Sequence, residues 1–320
     1  MEQKTDISDI RNALLQKLLQ GELPQAKQAE GAVQRVNTQS QKGPVAARPV
    51  LLQTGSRAPF FFLHGDWSGH TSFCFKLAHG LGPDQPFYIL EPYSFESHQV
   101  LPSVETMATE QLALIREIQP EGPYLLGGFC NGSLIVYEMA RHLHRSGQKV
   151  DLLVLIDPYF PRQARIFEVF KHIGSLLHLN QEQQLVWFLR LEHMLAYLTM
   201  RHSNEYEFIK TFDARIDSWF PPLETLRQEY NPLFRWAVAQ YKPSFYPRKV
   251  TIFWDEVELN RRRWWQKMAK GKDGEVEVAI IRGSHMTCKT EHVDSMAACL
   301  QRYVLQAQGE LPTTNRIPSS

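Results

Sequence analysis

The stretch that leaves this chain fewest options is residues 124–139, YLLGGFCNGSLIVYEM. An apolar strand runs into Gly128-Phe129-Cys130-Asn131-Gly132 and then straight into a helical pattern. A strand that reverses into a helix within so few residues forces its central residue into a strained, positive-φ conformation. The residues two before and two after that centre nearly touch, and glycine lets such a turn close. Cys130 is left projecting from the crest, at the positive end of the following helix, where a thiolate is favoured. This is the geometry of a nucleophile elbow.

The helix is legible without the motif. Val136, Met139, Ala140 and Leu143 fall at i, i+3, i+4, i+7, one apolar face. Gly147 is its stop, with Arg141, His142, His144 and Arg145 in the last turns. The next run, 152–156 (LLVLI), is uninterrupted apolar, as a strand covered on both faces should be. Upstream, strands are expected at 50–53, 59–63 and 87–90, with a helix at about 73–81. A second helix starts at Ser103, carries Val104, Met107, Ala108, Leu112 and Ile115 on one side, and is closed by Pro120 and Gly122. Strands separated by helices at this rhythm imply an α/β fold, a mostly parallel central sheet with helices on both faces.

The rhythm breaks after Asp157. Residues 158–247 show no clear strand and read as helices at 164–179, 181–201, 205–216 and 231–240. They are rich in aromatics: Phe167, Phe170, Trp187, Phe188, Tyr197, Trp219, Phe234 and Trp236. An insertion of this size between two sheet strands is a helical lid, and its large apolar side chains suit an acyl or aryl substrate. Taken singly, each aromatic reads as core of the lid. Strands resume at 250–254 and 276–281, separated by a helix at 259–269 that carries Arg261-Arg262-Arg263, a solvated face; a last helix spans 291–306. Residues 1–48 read as a short helix (8–20) followed by a Gln-, Ala- and Gly-rich linker, residues 49–307 as the catalytic domain, and 308–320 as a disordered tail.

Composition narrows the function classes. The 320 residues carry 35 basic and 34 acidic side chains, a net charge of +1, which speaks against nucleic acid or an anionic membrane as the main partner. No stretch approaches the ~18 apolar residues of a membrane span, and the polar N-terminus lacks the apolar core of a signal peptide. Cys74, Cys130, Cys288 and Cys299 have no zinc-ligand spacing, so no metal is expected, and their sparseness fits a reduced cytoplasmic setting. No glycine-rich phosphate loop is present.

A thiol nucleophile needs a base, a group to orient that base, and donors for the oxyanion. Of twelve histidines, His285 holds the right place, in the loop RGSHMT after the last strand. Asp157 ends the strand after the elbow helix and Asp255 ends the following one, so either can serve as the acid; Asp157 is the first choice. The oxyanion donors are expected to be the backbone N–H of Asn131 and one from the loop 64–69, at Asp66 or Trp67, which Gly65 and Gly69 free to turn inward. Cys288 reads as a half-buried residue at a helix start.

On these segments (PFFFLHGDWSG, QPEGPYLLGGFCNGSLIVYEMARHL, LLVLIDP and RGSHMT) the chain from about residue 50 to 303 resembles the type I thioesterases of nonribosomal peptide and polyketide assembly lines, within the α/β-hydrolases. The resemblance implies an acid where Asp157 stands and a substrate held as a thioester on the phosphopantetheine arm of a carrier protein, acyl or peptidyl, with no cofactor of the enzyme's own. It departs from the family at Cys130, where most members have serine. Moving an acyl group from pantetheine sulfur to Cys130 exchanges one thioester for another, so the acyl group stays activated for water, an amine, an alcohol or a second thiol. Hydrolysis and transfer between carrier proteins are therefore both open, and a non-catalytic binding member of the fold is the third reading.

Overall fold

The computed structural model describes residues 48–65, 71–91, 103–159, 164–200, 222, 223, 226, 230–256, 265 and 275–311, all within one unit, Lys42–Ser320. The expected helices at 8–20 and 205–216, the linker up to residue 47, residues 312–320 of the expected tail, Asp66, Trp67 and Arg261–Arg263 lie outside the described residues; of the helix expected at 259–269 only Trp265 is described. Residues 308–311, expected to begin a disordered tail, are instead tied to the domain, Glu310 N donating to Leu305 O at 2.9 Å and the Gln308 side chain to Gln85 Oε1 at 2.9 Å. In chain order the elements are β1 (Val50–Gln53), β2 (Phe60–Leu63), α1 (Ser72–Gly80), β3 (Phe87–Leu90), α2 (Val104–Ile118), β4 (Tyr124–Phe129), α3 (Asn131–Arg145) and β5 (Val150–Ile156). Then come α4 (Ala164–Leu176), α5 (Gln181–Met200), α6 (Tyr230–Gln240), β6 (Val250–Asp255), β7 (Val276–Ile281), the short α7 (Thr287–Thr290) and α8 (Val293–Ala307).

The described strands form one sheet in the order β1-β3-β2-β4-β5-β6-β7. Only β1 is antiparallel, to β3; every other pairing is parallel. The apolar runs are explained by burial on both faces. In β2, Phe61 and Leu63 enter the core under α2 and α3, while Phe60 and Phe62 enter the core under α1 and α8. β5 divides the same way, Leu153 and Leu155 against Leu152, Val154 and Ile156. A strand with a period of two cannot alternate apolar and polar when both sides are covered. Each fully buried Phe or Leu contributes about 1.5–3 kcal/mol.

Helix boundaries follow local chemistry. The Ser103 hydroxyl accepts from the Thr106 N–H at 3.0 Å and caps α2. Gly147 takes φ +75° and lets the chain fold back, with Gln148 N donating to Leu143 O at 2.9 Å. Helix α3 departs from the single apolar face expected: every residue from Asn131 to Arg141 is buried. Its outer side is covered by Tyr246 and Trp265, whose rings pack on Tyr137 at 6.1 and 5.8 Å. Polar residues on that side pair internally: Glu138 receives Arg141 and the Tyr241 hydroxyl, the latter at 2.6 Å.

The elements described in the insertion between β5 and β6 are all helices, α4, α5 and α6. Phe167, Leu185, Phe188, Leu189, Leu226, Leu233 and Trp236 form a core of their own. Phe167 meets Trp236 edge-on at 5.1 Å. Those aromatics are therefore spent on the insertion's own packing rather than on a substrate wall, and Phe234 joins the main core.

Candidate active site

Parallel strands end on the same edge, so the register decides which loops meet. Leu63 pairs with Gly128, Phe129 with Ile156, Ile156 with Phe253, and Asp255 with Ile281. The residues just beyond those strand ends are His64-Gly65, Cys130, Asp157 and the loop to His285, and they gather at one edge.

The elbow has the strain its sequence implies: Cys130 sits at φ 50°, ψ −117°. Both its backbone groups are tied to the neighbouring strand end, with Cys130 N donating to Ile156 O at 2.9 Å and Tyr159 N donating to Cys130 O at 3.0 Å. A Cβ on Gly128 would lie 2.8 Å from the Gly132 carbonyl, so that glycine closes the turn as expected. Gly132 is needed for a different reason: a Cβ there would lie 2.3 Å from the carbonyl oxygen of Leu63, in the adjacent strand. Sequence spacing could not show this, because Leu63 is remote in the chain.

Asp157 is fully buried and holds Nδ1 of His285. Asp157 itself adopts φ 39° and is pinned by its N–H to Phe253 O at 2.8 Å. The His285 ring stacks on Phe129 with centroids 5.0 Å apart. Burial works against its charged form, but the hydrogen bond to Asp157, with further help from Cys130 beside it, outweighs that and raises His285 to about 10. Cys130 is partly exposed, and its thiol donates to the Asn131 side-chain oxygen at 3.8 Å. The histidine loop is braced at both ends. Ser284 N donates to Thr287 Oγ1 at 2.8 Å, and the Cys288 thiol donates to His285 O at 3.3 Å.

Of the candidate residues, the structure brings Cys130, His285, Asp157 and Asn131 together. Asp255 is buried at the end of β6 but is not the carboxylate holding His285 Nδ1. Cys288 is fully buried rather than half-buried, and burial pushes its thiol up to about 12, which makes it an inert brace. Gly65, at φ +61°, brings the loop after β2 against the start of α3, where a Cβ would lie 3.0 Å from Asn131 N. Sequence reasoning credited Gly65 with loop freedom and missed this contact. A cavity of about 340 Å³, lined by Arg57, Pro123, Asp151 and Glu310, lies by the opposite ends of β4 and β5, away from Cys130. Among the described residues no group of His, Cys, Asp and Glu is arranged to hold a metal, and no helix is long and apolar enough to cross a membrane.

A mostly parallel sheet whose strained elbow faces a histidine carried by the last strand's loop defines an α/β-hydrolase. Within that class the chain belongs to the thioesterase family, whose description, Thioesterase domain, matches residues 59–303. It is 33% identical over 155 residues to a dimodular nonribosomal peptide synthase of Bacillus subtilis (strain 168), covering 48% of this chain and 6% of that protein. It is also 33% identical over 165 residues to the non-reducing polyketide synthase ntnG of Nectria sp, covering 47% of this chain and 8% of the relative. The matched region is thus a small part of these curated relatives' length. Among solved structures, the NocB thioesterase domain in covalent complex with a fluorophosphonate nocardicin G analog superposes with a TM-score of 0.50 at 20% identity, over 78% of this chain and 96% of that one. The four-domain nonribosomal peptide synthetase AB3403 superposes with 0.52 at 20% identity, over 82% of this chain and 20% of that one. At that identity the likeness establishes the fold.

Proposed function

We propose that this chain is a cysteine-dependent thioesterase of nonribosomal peptide or polyketide biosynthesis that removes an acyl group from the phosphopantetheine thioester of a carrier protein. The observation that carries the reading is the Asp157–His285 pair standing beside a sulfur on the crest of the elbow. The named relatives, a peptide synthase and a polyketide synthase, supply the substrate class. The four cysteines are free, which suits action in the cytoplasm.

In this mechanism His285, oriented by Asp157, takes the proton of Cys130. The thiolate attacks the thioester carbonyl, and the oxyanion is held by the Asn131 N–H and an amide of the loop after Gly65, at Asp66 or Trp67. The carbon–sulfur bond to pantetheine breaks, and the leaving thiolate takes the proton from His285. Water then enters, gives its proton to His285 and attacks the acyl-Cys130 thioester, releasing acid and restoring the thiol.

The sulfur favours a second reading of the last step. Because acyl-Cys130 is itself a thioester, a second carrier thiol can take the acyl group without loss of activation. Intact-protein mass spectrometry on the chain exposed to an acyl thioester tests the first half: a covalent acyl adduct is expected on the wild type and none on Cys130→Ala. An adduct on Cys130→Ala overturns the nucleophile assignment. An acylated carrier mixed with an empty one separates the acceptors, free acid marking hydrolysis and label on the second carrier marking transfer.

A further inference from the structure

The α4–α5 hairpin is apolar on the side turned away from its own core. On α4 and the residue that follows it, Phe167 and Phe170 pack inward, while Val169, Ile173, Leu176 and Leu177 repeat at i, i+4, i+7, i+8 and are exposed, Leu176 by 66% and Leu177 by 64%. On α5, Leu185, Phe188 and Leu189 pack inward, while Trp187, Leu191, Met194 and Leu195 repeat the same spacing and are exposed, Trp187 by 61%. The helices are held together where Phe167 meets Phe188 at 5.5 Å and where a Cβ on Gly174 would lie 2.9 Å from the Gln184 side chain.

A solvated helix face carries polar residues, whereas these two present eight large apolar side chains. At such exposures the apolar area is on the order of several hundred Å², at or above the largest patch an ordinary monomer leaves open. It is also of the order of the roughly 800 Å² that each partner buries in a standard-size interface.

We propose that this face of the α4–α5 hairpin is an interface between two copies of this chain. A two-fold contact needs a patch that complements itself, and an apolar stripe does so. The exposed charges on the same helices are of both signs, Glu168 and Glu182 against Arg190, so no single-sign field turns a second copy away. A lipid surface calls for a basic rim, and a strongly acidic or basic partner for one sign of charge. Trp187 is the natural anchor, since interface energy concentrates on buried aromatics.

Sedimentation velocity on the full chain tests this. A dimer is expected at about 100 µM, where micromolar pairing is nearly complete. The double variant Leu177→Glu/Leu195→Glu is expected to weaken it by ~100-fold or more, with acyl loading of Cys130 per chain unchanged. If that variant does not fold, Trp187→Ser is expected to weaken pairing by ~10-fold. A wild-type monomer at that concentration, or a dimer that a folded variant leaves intact, overturns the proposal. So does strong hydrogen-exchange protection of side-facing segments 169–177 and 187–195 that is the same in a dilute monomer as at high concentration. That result would point instead to cover from the chain's own residues.

Discussion

Gly65 and Asn131 meet backbone to backbone: a Cβ on Gly65 would lie 3.0 Å from the Asn131 nitrogen and 2.0 Å from the Phe129 carbonyl oxygen. Gly65 also holds φ +61°, where an L side chain is strained by roughly 1–2 kcal/mol. Gly65→Ala must therefore move its loop off the start of α3. If this loop supplies an oxyanion donor, kcat on a simple acyl thioester should fall by about 10²–10³-fold, the cost of losing one such donor. An unchanged kcat in a folded Gly65→Ala variant would place the second donor elsewhere.

Asp157, not Asp255, holds His285. Removing the charge while keeping the shape should reproduce what loss of an orienting acid does elsewhere, so Asp157→Asn should lower kcat/KM by roughly 10³–10⁴-fold. Asp255→Asn should cost less than about tenfold, since the proposed mechanism gives it no step to perform. Steady-state kinetics on both variants decides, and the reverse ranking would transfer the role to Asp255.

The same pair makes stability depend on pH. His285 is raised from 6.5 to about 10, against burial, by Asp157 and Cys130. A histidine with a raised folded-state pKa gives its full stabilisation below its unfolded value and loses it as pH climbs through the folded value. The melting-temperature gap between wild type and His285→Gln should accordingly be widest near the unfolded value and shrink toward about 10. Thermal melts across that window measure it; a gap that widens with pH would contradict the assignment of the stabilising charge.

Glu138, Arg141 and Tyr241 form a buried polar knot joining α3 to the segment after α6. Arg141→Met leaves Glu138 buried with only the His142 ring, 3.1 Å away, as a basic partner, and removing one member of a buried ion pair destabilises by up to about 3–5 kcal/mol. Tyr241→Phe removes one donor and should cost about 1–3 kcal/mol. Urea unfolding is expected to rank the two in that order. Equal losses would mean that the hydroxyl and the cation contribute alike.

Local information reached a long way here. The elbow was legible because its strain must be met by particular residue types within five positions, and Cys130 does sit at positive φ between two glycines. The strands were legible because a sheet covered on both sides demands unbroken apolar runs, as Phe60–Leu63 shows. His285 could be chosen from twelve histidines by its place after the last strand, since parallel strands deliver their ends to one edge.

What stayed hidden depended on contacts between distant parts of the chain. Two aspartates stood at strand ends, and nothing local separates them; three-dimensional packing gives the imidazole to Asp157. Gly132 faces the Leu63 carbonyl, a neighbour that no spacing rule can supply. Helix α3 shows an apolar stripe in sequence yet is buried all round, because Tyr246 and Trp265 arrive from far downstream to cover its other side. Periodicity reports what a segment needs from its surroundings, and only the assembled fold supplies the partner that meets the need.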